Sequence, residues 1–309
     1  MSERTAVILD TDIGSDIDDA VCLAYLLRQP RCELVGITTV SGREPRERAS
    51  LADAVCRAAG RTDIPIHSGA SVRGDTGAVV QPDCPQAAIL SRHPHRPPGE
   101  FAPNTAVQYL HETISRRPGE ITLLAIGPMT NLGLLFNLDP EIPKKLKALV
   151  LMCGVFTNRL AGVGPCEWNA LCDPWAAHTV YRSATRVHRS VGLDVTMQVK
   201  LPAPEAVQRF RKAGGALNVV ADACDVWRTH CPDVVFHDPL AATALFNDRV
   251  CTWERGQISV ELASQRVMGQ THWKGEANGP HEVALGVDAK VFFDEYFGVV
   301  GGATRQAAG

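Results

Sequence analysis

No apolar run in this chain approaches the roughly 20 residues that a membrane-spanning helix needs; the longest lies around 148–156. An excess of one charge is also missing, since 31 Lys and Arg stand against 34 Asp and Glu, a formal net charge of −3. That leaves no electrostatic footprint for nucleic acid or an anionic membrane surface, so any nucleotide-like ligand is expected to be small and held locally. The ten cysteines, at 22, 32, 56, 84, 153, 166, 172, 224, 231 and 251, form no Cys-x-x-Cys pair. They lack zinc spacing and make a poor disulfide framework for a chain this long. They read as buried small hydrophobes in a reducing cytoplasm. The first strand pattern starts within about five residues of the first residue, which leaves no room for a signal peptide. Internal repeats and low-complexity linkers are absent as well. The one Pro-rich segment, 81–103, holds six prolines, which exclude regular structure across it. It is expected as a long loop acting as a lid over a site.

What is there suits one large α/β domain spanning 1–309, with 45% hydrophobic and 21% charged residues, an ordinary balance for a chain that buries a sizeable core. Strand patterns at 6–10, 33–40, 64–67, 121–126, 146–152 and 186–191 alternate with helical patterns at 18–28, 45–59, 105–116, 131–137 and 174–181. Such alternation argues for βαβ units and a mainly parallel central sheet flanked by helices, a Rossmann-like arrangement. The last third reads as more helical up to Phe246, then as short strands at 257–262 and 281–286 and a final helix at 288–297.

The densest signal is Ala6-Val-Ile-Leu-Asp10-Thr-Asp12-Ile-Gly-Ser-Asp16-Ile-Asp18-Asp19-Ala20. An apolar run, read as a buried parallel strand, enters five aspartates within ten positions. They fall where a strand ends and a helix begins, the edge at which open α/β sheets bind ligands. Carboxylates packed so closely repel unless something positive lies among them, and a hard cation with oxygen ligands is the simplest candidate.

Five more segments stand at or just past strand ends: Thr38-Thr39-Val40-Ser41-Gly42-Arg43, Gly127-Pro128-Met129-Thr130-Asn131, Met152-Cys153-Gly154, Glu167-Trp168-Asn169 with Asp173-Pro174, and His237-Asp238-Pro239-Leu240-Ala241. With the Asp-Thr-Asp-x-Gly and Asp-Asp-Ala runs, the first, second, fourth and fifth of these resemble in order the inosine–uridine-type nucleoside hydrolases, from Ala6 to about Ala244. The resemblance implies that family's fold and its activity: hydrolysis of the N-glycosidic bond of ribonucleosides by a water activated by tightly held Ca²⁺. It implies Asp12, Asp19, Asp238 and the carbonyl of Thr130 as metal ligands, with Asp12 as general base. It implies Asp18, Glu167 and Asn169 on the ribose hydroxyls beside an oxocarbenium-like transition state. His237, a group that titrates near neutral pH, would protonate the departing base. Nucleoside salvage and a homodimer or homotetramer are implied too.

Plainer readings stand beside these. Carboxylates in a first helical turn favour the helix dipole, and one of Asp16, Asp18 and Asp19 does only that. The aspartate loop is two residues longer than the family's usual Gly-x-Asp-Asp-Ala, so Asp16 is an alternative to Asp18 or Asp19. Thr130 also suits a helix cap. Trp168 reads as ribose wall or core, His93 and His95 as solvated loop, and Trp227 and His230 as base-pocket lining or core. Arg43 stands where the family often has Asn, and 160–164 lack the family's asparagine for the ribose 5′-hydroxyl. These departures leave open a modified ribonucleoside or a ribosyl-ligand binding protein without turnover. A haloacid-dehalogenase-type phosphatase also begins strand–Asp-x-Asp, but it wants Gly-Thr where Ile13-Gly14 stand. An EF-hand fails at Ser15 and Val21.

Overall fold

The computed structural model describes residues 4–42, 44–71, 83–229 and 231–302. Its centre is a nine-stranded sheet in the order β10-β9-β11-β6-β5-β4-β1-β2-β3. The strands are β1 (Thr5–Thr11), β2 (Cys32–Thr39), β3 (Ile66–Ser68), β4 (Ile121–Ala125), β5 (Ala148–Met152), β6 (His188–Val191), β7 (Lys200–Pro202), β8 (Asp233–Val235), β9 (Cys251–Val260), β10 (Thr271–Gly275) and β11 (His281–Val287). β7 and β8 form a separate antiparallel ribbon. From β3 to β11 across the sheet every neighbouring pair is parallel, whereas β9 joins β11 and β10 antiparallel. The strand and helix patterns of the first two thirds are therefore borne out within a few residues.

The apolar runs are buried on both faces because helices cover both. Val7 and Leu9 enter one core, with helices Asp18–Arg28, Pro45–Ala58 and Ala216–Trp227, while Ala6 and Ile8 enter the other, with helices Ala106–Arg116 and Thr130–Leu138. Period-two side chains on a doubly covered strand give this split. Successive strands run outward from β1 through β2 and β3 on one side, and from β4 through β5 and β6 on the other. The chain thus reverses direction between β1 and β4, and the crevice beyond their carboxyl ends is the expected ligand position.

Three elements differ from the sequence reading. The Pro-rich segment carries 3-10 helical stretches at Pro85–Arg92 and Pro98–Glu100; positions 81 and 82 lie outside the described residues. It is bound down as a strap. Ile89 is fully buried, Arg96 pairs with Asp53 at 2.9 Å, and His93 Nε2 meets Asp222 Oδ2 at 2.8 Å. Prolines fit a 3-10 start, where no N–H is needed, so they stiffen the strap. His93 is accordingly paired and not solvated. The second difference is β10, whose exposed Lys274 and Gly275 carry no period-two signal. The third is the ribbon of β7 and β8, strands too short to leave one. Among the described residues no helix is long and apolar enough to cross a membrane.

Candidate active site

A cavity of about 430 Å³ opens beyond the ends of β1 and β4. Asp12, Asp16, Asp18, Asp19, Glu167, Asn169, His237 and Asp238 all line it. The structure thus gathers eight of the nine site residues expected from sequence, from segments more than two hundred positions apart.

The acidic end is built in layers. Asp10 lies behind the cavity, fully buried, its Oδ2 accepting from Thr38 Oγ1 at 2.5 Å and Asn131 Nδ2 at 2.8 Å. Asn131 also donates to the Thr39 carbonyl and accepts from the Ala70 amide. These motif residues therefore stitch the ends of β1 and β2 together and hold Asp10, whose carboxyl burial pushes up to about 7 against those two hydrogen bonds. Asp12, the next aspartate, faces the cavity. Burial raises it to about 6, with the Arg48 guanidinium pulling the other way. Arg48 is itself fully buried and donates to the carbonyls of Ser41 (3.0 Å), Ile13 (3.1 Å) and Asp12. A cation placed behind the aspartate loop is what an array of buried carboxylates needs.

Asp18, Asp19 and Asp238 present oxygens within 4.8 Å of one another and are all buried. Burial comes first in raising each carboxyl well above its usual range, with the neighbouring carboxylates next. Asp19 takes the Thr11 hydroxyl, and Asp18 takes the Asp238 amide at 3.1 Å. Three buried oxygen donors with mutual repulsion fit a hard divalent cation. The trio brought together contains Asp18, where the sequence reading had Asp12; Asp12 lines the same cavity. Asp16 lines it as well, its Oδ1 accepting from the Ile17 amide at 2.5 Å.

Glu167 caps the helix Trp168–Cys172. Its oxygens accept from the amides of Asn169 (2.6 Å), Ala170 (3.1 Å) and Gly154 (3.1 Å). Burial raises its carboxyl, and those amides oppose the rise. Asn169 spends both amide protons on the carbonyls of Ile126 (2.9 Å) and Met152 (3.0 Å), which leaves its Oδ1 as an acceptor. Trp168 is 42% exposed at the rim.

Thr130 is not among the residues lining the cavity: it starts the helix Thr130–Leu138, and its hydroxyl donates to Asp173 Oδ2 at 2.7 Å. The residue of that turn that does line the cavity is Ile126, directly after β4. Burial pulls the pKa of His237 down to about 4, and its Nδ1 pairs with Thr196 Oγ1 at 2.7 Å. Arg48 and Gln86 are the functional-site residues that sequence reading missed. Trp227 lines the cavity, while Arg43 and His230 lie outside the described residues.

Comparison with known proteins agrees with this geometry. A family model described as inosine-uridine preferring nucleoside hydrolase matches residues 7–294. The inosine-uridine preferring nucleoside hydrolase of Leishmania major is 30% identical over 317 residues, covering 95% of each chain. Uridine nucleosidase 1 of Arabidopsis thaliana is 28% identical over 310 residues, covering 94% of this chain and 91% of its own. Among solved structures, the purine-preferring ribonucleoside hydrolase from Gardnerella vaginalis shares the fold. Its TM-score is 0.80 at 24% identity, with 96% of this chain and 98% of its own covered.

Proposed function

Because the chain belongs to the inosine-uridine preferring nucleoside hydrolase family and is a nucleoside N-ribohydrolase, we propose that the cavity beyond β1 and β4 is where the glycosidic bond is cut. One observation carries this reading: six carboxylates from Asp12, Asp16, Asp18, Asp19, Glu167 and Asp238 line a single cavity together with His237. The family is metal-dependent, and the buried trio fits a metal. We read the metal as Ca²⁺ because every donor is a hard oxygen. Asp12, Asp19 and Asp238 would hold it with the Ile126 carbonyl, and when bound it supplies an acidified, oriented water.

The chain's own residues do the rest. Asp12, with a pKa raised to about 6, is ionised at neutral pH yet basic enough to take a proton from the attacking water. Asp18, the free oxygen of Asn169 and the remaining lone pairs of Glu167 accept from the ribose hydroxyls and fix the sugar. Their negative field would favour the positive charge that develops on the anomeric carbon. His237 is neutral, so its part at the leaving base is that of a hydrogen-bond donor. In the tautomer in which Thr196 donates to Nδ1, the ring proton sits on Nε2 and is offered to the base. Two of the named relatives are called an inosine-uridine preferring nucleoside hydrolase and a uridine nucleosidase, and we assign this chain inosine and uridine. Reducing-sugar release from a panel of purine and pyrimidine ribonucleosides tests the assignment. Turnover of uridine and inosine is expected, and release confined to cytidine and adenosine would overturn it.

We also propose a homo-oligomer in the cytoplasm. Leu134 and Leu138, one turn apart, and Trp175 on the adjoining helix are exposed at 51, 70 and 56%, an apolar patch that a second copy would cover. All ten cysteines are free thiols, eight of them buried, which suits a reducing compartment.

The Gly-Pro-Met-Thr-Asn turn has its own test. A Cβ on Gly127 would stand 2.8 Å from Asp12 Oδ1 and 2.9 Å from the Asp12 amide nitrogen. Gly127→Ala is expected to displace Asp12 and lower kcat by on the order of 100-fold. Thermal melting should show the variant folded, and wild-type turnover would refute the packing argument.

A further inference from the structure

The aspartate loop is held through its backbone. Each carbonyl from Asp12 to Asp16 takes a donor from another segment of the chain. Arg48 Nη1 serves Asp12 and, at 3.1 Å, Ile13, which the Cys84 thiol also meets at 3.8 Å. The Gln86 backbone amide donates to Gly14 O at 3.2 Å, and Nε2 donates to Ser15 O at 3.2 Å and Asp16 O at 2.7 Å. Both partners of Nε2 are carbonyls, which only accept, so the side-chain amide of the fully buried Gln86 has one permitted orientation. Gly14 fits the same contact from the loop's side: its φ is +112°, and a Cβ on it would run into Cys84 Sγ. The donors share a frame. The helix Pro45–Ala58 carries Arg48, and it also carries Asp53, which takes the Arg96 amide at 2.8 Å and Arg96 Nε at 2.9 Å. That pairing fastens the strap from which Cys84 and Gln86 reach the loop.

A carbonyl tied to a donor fixes its peptide plane, and with it the direction in which the flanking side chains leave the backbone. This loop needs that restraint. Asp12, Asp16, Asp18 and Asp19 all line one cavity, and carboxylates gathered so closely repel one another and would splay a free loop. We propose that Gln86 is a positioning residue: through it the strap holds the aspartate loop in its cation-binding shape in the metal-free protein. Binding the metal then costs little further ordering of the loop. The proposal rests on the metal reading above. Arg48 shares the task but brings a charge with it. Gln86 is a neutral double donor, so removing it tests the clamp while leaving the charge of the site unchanged.

The test titrates calcium calorimetrically into the wild type, Gln86→Met and Gln86→Asn, well below their melting points, where the measured Kd is that of folded protein. Methionine keeps the bulk of the side chain and removes both side-chain bonds. Asparagine keeps the amide but is one methylene too short to hold both carbonyls. Kd is expected to rise on the order of 10-fold in Gln86→Met and by less in Gln86→Asn. Uridine turnover separates positioning from substrate contact. The kcat of Gln86→Met should fall at limiting calcium and return to within about 3-fold of wild type when calcium saturates, with KM for uridine changed by less than about 2-fold. A Gln86→Met protein that binds calcium within about 2-fold of wild type, or whose kcat stays low at saturating calcium, would overturn the proposal. If Gln86→Met fails to fold, Gln86→Asn decides by the same two readings. Wild type that binds no calcium would instead refute the metal reading, and this proposal with it. Wild type that binds calcium but releases no ribose from uridine would refute the uridine assignment, and the Kd comparison would still decide the role of Gln86.

Discussion

Asp12→Asn is expected to abolish ribose release from every nucleoside, lowering kcat by on the order of 10³–10⁴-fold, while the metal-free protein melts no lower than the parent. Activity falls because Asn offers no lone pair basic enough to take a proton from water at neutral pH. The fold holds because Asp12 is costly to it: burial, and the charge of Glu167 nearby, raise its carboxyl against the pull of Arg48. A neutral amide of the same shape removes that repulsion. Arg48 donates to the backbone carbonyls of Asp12, Ile13 and Ser41, bonds that the substitution leaves in place. Steady-state ribose release and a thermal melt on the same preparation check both halves. Retention of more than a tenth of the activity would move the base role to Asp16 or Asp18, which share the cavity. A large loss of melting temperature would mean that Asp12 is first a structural residue.

The sheet was legible because its strands are buried on both faces, so each shows as an unbroken apolar run, and helical patterns with clear periods lie between them. The acidic end was legible because five aspartates in ten positions repel one another unless a cation lies among them. What escaped was everything decided by where a backbone carbonyl points. Arg48 sits in the charged first turn of the helix Pro45–Ala58, a pattern that reads as a solvated face. The carbonyls of Asp12, Ile13 and Ser41 turn it inward. Gln86 lay in a segment whose prolines suggested a lid, and only the exposed carbonyls of Ser15 and Asp16 make it an anchor. Thr130 stood out because its motif was visible, whereas the residue of that segment that lines the cavity is Ile126, four positions earlier, whose apolar side chain gives no local signal. Thr38 and Asn131 stood out as motif residues, yet their bonds go to Asp10 and the backbone. The lowered pKa of His237 depends on burial by distant segments, and no local signal carries that.

Calcium should raise the melting temperature of the wild type, and Asp238→Asn should remove that rise while making the metal-free protein more stable. Asp18, Asp19 and Asp238 are buried with oxygens inside 4.8 Å of one another, and each carboxyl is raised well above its normal range by burial and then by its neighbours. Without a cation the fold therefore carries a standing penalty, relieved by binding a proton or a metal. A metal at 100 times its dissociation constant stabilises by about 2.7 kcal/mol. That corresponds to roughly 5 °C for a chain of this size. Asp238→Asn takes away one donor and one like charge together, so the two effects separate in a melt run with calcium and with a chelator. The chelated wild type should melt lowest, and the variant should be indifferent to calcium. Binding that persists in the variant at wild-type strength would show that the metal sits elsewhere. Equal melting of wild type with and without calcium would show that the trio is held by protons, in which case ribose release should survive the chelator as well.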